Sequence, residues 1–330
     1  MAIVLITGAN GFIGSHLVQK FLREGHQVKA FVRKSSDVSF LNGMNPTIVY
    51  GDILDKKSLM SAMLEVDIVI HNAGFASDWG AYQDFYQINV EGTQNVAMAA
   101  AERKVKRLVY MSSVAVHGFG SETMMEETSP FRYTFFPYTK SKWIAEQWIM
   151  EYTKLVDMEV TAVRPGNVFG TRDHTFMSKY LDALERGQTA VINRGSSKTC
   201  PTYVENLAHG VYLAAMHPQA PGQSFIITDG LDIDWKTFNK KLTDALNLKE
   251  STASFPFGLA YFAGSILEFS YKLFGSKKSP LITRYRVLNG GKNYWFSIEK
   301  AKNILGYKPI IDLDTAVRKT IEWYRANKKK

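Results

Sequence analysis

Tyr138 and Lys142 stand four residues apart in the run Tyr138-Thr139-Lys140-Ser141-Lys142. On a helix that spacing brings phenol and ammonium to one face, where the cation favours tyrosinate and so prepares a group for proton transfer. Upstream, an apolar strand predicted over 107–111 delivers Ser112 and Ser113, hydroxyls able to polarise a reacting oxygen. The Tyr/Lys spacing alone is weak: with 16 tyrosines in the chain, about one such pair arises by chance. A second pair does occur, Tyr324 with Lys328, but it lies in the basic C-terminal stretch with no serine-bearing strand before it, and we read it as accidental.

The element that must position this chemistry begins at the N-terminus. Thr7-Gly8-Ala9-Asn10-Gly11-Phe12-Ile13-Gly14 follows the apolar run 2–6 and precedes a helical pattern through Leu17, Val18, Phe21 and Leu22. The order is strand, glycine turn, helix. Gly8 permits the turn, Gly11 lets backbone approach a pyrophosphate, and Gly14 allows close helix–strand packing, while free N–H groups at the helix start face the phosphates. We therefore expect Gly8, Asn10, Gly11, Phe12, Ile13 and Gly14 to contact a dinucleotide. An oxidised nicotinamide would share with Lys142 the roughly 4 kcal/mol needed to bring a phenol from about 10 towards neutrality.

A second strand, 27–32, ends where the adenosine ribose should lie. An acidic residue there would repel a 2′-phosphate, whereas this chain supplies Arg33-Lys34-Ser35-Ser36, so NADP(H) is favoured over NAD(H). A third strand, 47–50, runs into Gly51-Asp52-Ile53. A fourth, 67–71, runs into the small-residue turn Asn72-Ala73-Gly74, beside which a cofactor can pass. His71 reads as a packed strand-end residue rather than a base. The loop 76–82 and Phe75 carry aromatics at a strand end, suited either to a substrate or to a buried anchor at Trp79.

The glycine spacing G-x-x-G-x-x-G resembles that of the extended short-chain dehydrogenase/reductases, the NAD-dependent epimerase/dehydratase superfamily. Asn89-Val90-Glu91-Gly92-Thr93, Arg164-Pro165-Gly166-Asn167-Val168-Phe169-Gly170 and Thr202-Tyr203-Val204-Glu205-Asn206 are similar to segments found along its members. The resemblance implies an α/β fold: a Rossmann doubly wound parallel sheet over 1–170, and a smaller mixed α/β region over 171–330 that mainly binds substrate. It implies that Ser113, 25 residues before Tyr138, holds the reacting oxygen, with Tyr138 as proton-transfer group and Lys142 tuning it and binding ribose hydroxyls. Asp52 and Ile53 would lie at the adenine, Pro165, Gly166, Asn167 and Val168 at the nicotinamide, and Asn89 would support neighbouring strand ends. Phe75, Trp79, Ser113, His117 and Tyr203 would line the substrate. His117 departs from a tyrosine common in nucleotide-sugar epimerases, which counts against a sugar nucleotide.

Three shorter runs, 225–230, 281–285 and 301–309, resemble the branch of 3β-hydroxysteroid dehydrogenases, sterol-4-carboxylate 3-dehydrogenases and reductases of long-chain β-keto acid derivatives. That branch implies hydride transfer between a nicotinamide and the hydroxyl or keto group of a small hydrophobic substrate, with decarboxylation where a β-keto acid forms. Arg172, Lys179 and Arg284 are candidates to meet a carboxylate. A nucleotide-sugar epimerase or dehydratase and a dihydroflavonol-type reductase are the alternatives; a dinucleotide sensor without turnover would not need all three of Ser, Tyr and Lys. In many relatives two helices, here 82–103 and 137–156, build a homodimer.

Composition narrows the remainder. At 330 residues and 45% hydrophobic, the chain can bury a large core. Its one cysteine, Cys200, excludes an internal disulfide and has no metal-spaced neighbours, which suits a reducing, cytoplasmic setting without a metal. The N-terminus enters the first strand directly, without the pattern of a secretion signal. Of the net charge of +9, residues 272–330 carry +11 and the rest −2. No nucleic-acid reader motif accompanies those charges. The greasy stretch 255–274 is expected as ordinary core of the second region, with a pocket wall or peripheral membrane contact aided by the basic C-terminus as alternatives.

Overall fold

Short apolar runs alternate with amphipathic ones through the first half, and they form the strands β1 Ile3–Thr7, β2 Gln27–Val32, β3 Thr47–Tyr50, β4 Ile68–His71, β5 Arg107–Met111 and β6 Glu159–Pro165. β4 and β5 are buried at every position, as parallel strands covered on both faces must be. The computed structural model describes residues 1–330 except 133, 134, 251, 252, 277, 329 and 330; Lys277, Lys329 and Lys330 of the basic stretch thus lie outside the described residues. A seventh strand, Ser224–Ile227, completes a parallel sheet of order 224–227, β6, β5, β4, β1, β2, β3. The order reverses between β1 and β4, which opens a crevice at their carboxyl ends.

The helices α1 Phe12–Arg23, α2 Lys56–Ala62, α3 Tyr82–Phe85, α4 Gly92–Glu102 and α5 Pro137–Tyr152 follow in chain order. Beyond them come α6 Met177–Glu185, α7 Val204–Met216, α8 Trp235–Leu246, α9 Phe257–Leu273, α10 Arg284–Gly291, α11 Glu299–Leu305 and α12 Leu313–Asn327. One apolar core lies under α1, α7 and α11 and contains Leu17, Phe21, Leu207 and Val211; the other lies under α2, α4 and α5 and contains Leu59, Val96, Ala145 and Ile149. The sheet is therefore sandwiched between two helical layers. Residues beyond 170 share in it, since the strand Ser224–Ile227 and α7 return to the sheet. A third core joins α6, α8 and α12 around Leu181, Phe238, Leu242 and Ile321.

Helix α9 departs from expectation. Only Gly264 and Glu268 of it are buried, whereas Leu259, Phe262, Ile266, Phe269 and Leu273 are between 49% and 69% exposed. It is not core. Its inner side is fixed by the Glu268 carboxylate, which accepts from the Arg284 backbone N–H at 2.7 Å and from its guanidinium at 2.9 Å at the start of α10, and by Phe257 and Tyr261, which pack against the core. Among the described residues, no helix is long and apolar enough to cross a membrane.

Candidate active site

The glycine turn adopts the geometry its sequence predicts. Gly8 has φ +64°, and a Cβ on Gly14 would collide with the Gly8 carbonyl oxygen. No side chain caps α1 at Gly11, so its first N–H groups remain available to a phosphate at the crevice. Opposite the turn, Asn72 Nδ2 donates to the Gly8 carbonyl at 3.4 Å and the Ala73 N–H donates to Thr7 Oγ1 at 3.0 Å, which tie the ends of β1 and β4 together. Phe12, Ile13 and Val168 pack in one apolar cluster, joining the phosphate turn to the segment after β6.

At the adenosine end, Arg33, Lys34 and Ser35 are exposed just past β2. Asp52 Oδ1 accepts from the Leu54 N–H at 2.9 Å. Ile53 is buried beneath Gly92, and its carbonyl accepts from Asn95 Nδ2 at 3.1 Å. Asn10 reaches across to the Asp37 carbonyl at 3.1 Å. These residues thus edge the same crevice as the glycine turn.

Ser113, Tyr138 and Lys142 come together where β5 ends against the start of α5. The Ser113 side chain lies beside the Tyr138 phenol, close enough to favour its ionised form. Ser113 Oγ also accepts the Ala115 N–H at 3.1 Å. With one lone pair taken by backbone, its proton is left to be given to an oxygen beside Tyr138. Lys142 Nζ donates to the Met111 carbonyl at 2.7 Å, and a Cβ on Gly74 would lie 3.3 Å from it. A side chain at position 74 would therefore crowd the lysine.

Burial pushes the Tyr138 phenol above 10, with the Ser113 side chain opposing it, and burial lowers Lys142 to about 8, with the Glu146 carboxylate resisting. The Lys142 ammonium gives one of its three N–H groups to the Met111 carbonyl.

Several supporting residues escaped the sequence reading. Glu146, one turn beyond Lys142, accepts from Arg164 Nε at 2.9 Å, from its Nη2 at 2.5 Å and from the Ser224 hydroxyl at 3.0 Å, and Ser112 donates to it as well. Arg164 Nη1 donates to His117 Nε2 at 3.0 Å, and His117 Nδ1–H donates to the Ser129 carbonyl at 2.8 Å. His117 is fully buried and, through desolvation and then the Arg164 charge, lowered to about 4. It is a structural link from β6 to the loop at 129, not the substrate contact expected. The one clue in sequence was Glu146 at the third step of an i, i+4 ladder from Tyr138.

Asn89 lies in a π-helical turn, Tyr86–Glu91, between α3 and α4. Its Oδ1 accepts the Phe75 N–H at 2.7 Å while Nδ2 donates to the Phe75 carbonyl at 3.1 Å and to Ser141 Oγ at 2.9 Å. It clamps the β4 turn to α5, as expected of a supporting residue. His71 bridges Thr7 at 2.9 Å and Thr93 at 3.0 Å, and burial lowers it to about 3; it is a packed neutral ring.

Other assignments change. Tyr203 is fully buried, its ring 5.6 Å from that of Phe169 and its hydroxyl donating to Glu205 at 3.0 Å, so it is core and not a substrate wall. The Asn167 side chain exchanges 3.1 Å bonds with Asn289 in both directions, and its backbone N–H donates to the Cys200 carbonyl at 3.0 Å. Pro165 ends β6, and a Cβ on Gly166 would stand 2.7 Å from the Cys200 carbonyl oxygen. Trp79 is the loop's anchor: its indole N–H donates to the Ser276 carbonyl at 3.1 Å, and its neighbour Asp78 accepts from Thr283 at 2.6 Å and pairs with Arg286 at 2.8 Å. Phe75 stays half-buried against Phe85, with centroids 4.5 Å apart. Of the carboxylate candidates, Arg284 is taken by Glu268, Arg172 leans on Ser15 and Gln19 of α1 at 3.3 Å, and Lys179 is exposed. Tyr324, buried in the third core, donates to Asp182 and Glu185, and Lys328 pairs with Glu185, so that second Tyr/Lys pair ties α12 to α6.

A doubly wound sheet carrying a glycine phosphate turn and a Ser/Tyr/Lys cluster at its switch point defines a dinucleotide-dependent oxidoreductase of the extended short-chain dehydrogenase/reductase type. More narrowly, the chain belongs to the NAD dependent epimerase/dehydratase family, whose profile matches residues 4–228. It is 29% identical to a 2-alkyl-3-oxoalkanoate reductase of Stenotrophomonas maltophilia over 96% of this chain and 97% of that one. It is 29% identical to a 3-beta-hydroxysteroid dehydrogenase of Mycolicibacterium neoaurum over 97% and 91%, and 30% identical to a decarboxylating sterol-4-alpha-carboxylate 3-dehydrogenase of Mus musculus over 96% and 89%. The crystal structure of gox2253 superposes with a TM-score of 0.85 at 27% identity, covering 99% of both chains.

Proposed function

We propose that this enzyme transfers hydride between NADP(H) and the hydroxyl or keto carbon of a hydrophobic substrate of 3β-hydroxysteroid or long-chain β-hydroxy acid type. The observation that carries it is the meeting of Ser113, just past the end of β5, with Tyr138 at the start of α5, and Lys142 one turn further along that helix. The glycine turn and the uncapped start of α1 fit a pyrophosphate, so the residues present suit the dinucleotide. When bound, the nicotinamide accepts or returns the hydride.

The protein's groups do the rest. In oxidation, Ser113 donates to the substrate oxygen and Tyr138, as phenolate, takes the hydroxyl proton while the carbinol carbon gives up its hydride; in reduction the phenol returns that proton to the forming alkoxide. The Lys142 ammonium, held by the Met111 carbonyl, keeps N–H groups to hold ribose hydroxyls. If the product is a β-keto acid, its ketone can receive the electrons left as carbon dioxide departs, and none of Arg172, Lys179 or Arg284 is required.

Preference for NADP(H) rests on Arg33 and Lys34, both exposed at the end of β2 where a 2′-phosphate would lie. The alkanoate- and sterol-acting relatives support the substrate class. A cytoplasmic homodimer through α4 and α5, which lie side by side with Trp148 and Tyr152 stacked at 4.7 Å, is part of the same reading. The test is mass spectrometry of products from 3β-hydroxysteroids, 4-carboxysterols and long-chain β-hydroxy acids with NADP+ or NAD+, using Tyr138→Phe as control. Loss of two hydrogens, with or without carbon dioxide, that vanishes in the variant is the expected result. Turnover of a nucleotide sugar with retained cofactor would replace this reading with epimerisation.

A further inference from the structure

Helix α9 is apolar on both sides. Gly264, Glu268 and the half-buried Phe257, Tyr261 and Tyr271 face inward, and Leu259, Phe262, Ile266, Phe269 and Leu273 face outward, spaced by three and four residues into one stripe. Phe255 before the helix, at 51% exposure, and Phe274 and Leu281 after it, at 83% and 85%, extend the stripe at both ends. So large a continuous apolar surface is uncommon on a free protein and marks a contact.

The surrounding charge decides what the contact is. From residue 253 to 292 the chain holds six Lys/Arg and one acidic residue, Glu268, which is buried and paired with Arg284. Asp78, the acid brought in from the 76–82 loop, is taken by Arg286. Lys272, Lys278 and Lys292 are exposed around the stripe, with Lys272 5.8 Å from the Trp79 ring and Lys292 4.5 Å from that of Phe257. A second copy of this face would bring like charges together across a twofold axis. An anionic lipid surface would neutralise the cations while taking up the phenyl and aliphatic groups.

We propose that α9 with its basic rim is a lipid-docking face, on which the enzyme lies in the plane of an anionic membrane surface without crossing it. The same face bears on the active site. Trp79 bonds the end of α9's connector at Ser276, and its loop starts at Phe75, the residue clamped by Asn89 beside Gly74 and Lys142. A docked α9 would hold that loop at the lipid boundary, so a water-insoluble alcohol could pass from the bilayer past Phe75 towards Tyr138. Delivery of substrate in this way rests on the function proposed above; docking itself does not.

The test is flotation of the full-length protein with phosphatidylcholine vesicles and with vesicles of equal parts phosphatidylcholine and phosphatidylglycerol. Three forms are compared: the wild type, Phe262→Ser/Phe269→Ser and Lys272→Glu/Lys278→Glu. We expect binding to the anionic vesicles that weakens in high salt, falls at least about tenfold in the Phe pair, and loses its preference for anionic lipid in the Lys pair. Multi-angle light scattering and turnover of a soluble alcohol are read alongside and should be unchanged in both variants. Absence of wild-type binding to either vesicle, or binding indifferent to both variants, overturns the proposal. A fall in oligomer mass with Phe262→Ser/Phe269→Ser assigns the face to a second copy and overturns it too. Vesicle binding without turnover of any alcohol would leave docking standing and reject the catalytic reading.

Discussion

Glu146 stands one helical turn beyond Lys142, yet its carboxylate binds Arg164 and Ser112 instead of the lysine. It thereby fastens α5 to both β5 and β6, and its charge still opposes the lowering of Lys142 by burial. Glu146→Gln should leave Arg164 unpaired inside the protein, at a cost of about 3–5 kcal/mol. It should also lower Lys142 below about 8, so in ketone reduction the alkaline loss of kcat/KM, where the ammonium deprotonates, begins at lower pH. Urea denaturation reads the first effect and a pH–rate profile the second. Ser112→Ala, which removes a bond but no charge, should leave the profile in place.

Tyr138→Phe should lower kcat by about 10²–10⁴ while dinucleotide affinity, measured by fluorescence titration, stays within about twofold. Ser113→Ala should lose activity in the same direction. Because burial raises the Tyr138 phenol, the protonated form prevails at neutral pH. Ketone reduction, which needs the phenol, should then hold steady through neutrality, while alcohol oxidation, which needs the phenolate, should climb with pH. Parallel pH profiles for the two directions would refute this assignment.

Arg33→Asp should reverse cofactor choice. One charge-assisted bond to the 2′-phosphate is worth about 1.5–3 kcal/mol, so NADP(H) affinity should fall by about 10–100-fold while NAD(H) gains a partner for its ribose hydroxyls. Dissociation constants for both cofactors decide it. An unaltered ratio would mean that Arg33 is merely a solvated turn residue.

His16 and His117, each lowered to about 4, and His71, lowered to about 3, are neutral in the folded protein, with burial the first cause in every case. The unfolded chain binds protons at these rings from pH 6.5 downwards, where the folded chain does not. Their neutral forms therefore contribute stability that is fully present above pH 6.5 and is lost as pH falls towards 4. The slope reaches about 4 kcal/mol per pH unit when all three act. Denaturation midpoints between pH 7 and 5 should drop accordingly, and His117→Gln should shed about a third of that slope.

Local pattern made the glycine turn, the strand ends and the Tyr138/Lys142 face legible in the sequence, because each depends on neighbours within a few residues. What stayed hidden depends on partners far along the chain. Nothing near His117 announces Arg164 or Ser129, so a buried, fully bonded imidazole looked like a group free for substrate. Tyr203 likewise gave no hint of the Phe169 ring it packs against. The apolar content of 255–274 was plain, but its direction was not. The inner side is fixed by Glu268 meeting Arg284 and by Phe257 and Tyr261, and hydropathy counts the outward phenylalanines as candidates for a core.

The π-helical turn at Tyr86–Glu91 has a further consequence. Such a turn holds one residue more than an α-helical one, so the chain from Asn89 onward is rotated by about 100° from where a regular helix would carry it. Excising a single residue there would keep the helix continuous and leave every other contact type available. It would nonetheless swing the Asn89 amide away from Phe75 and Ser141. Length within this segment is therefore under tighter constraint than composition: the chain should accept many replacements at Tyr86 or Gln87 and scarcely any deletion.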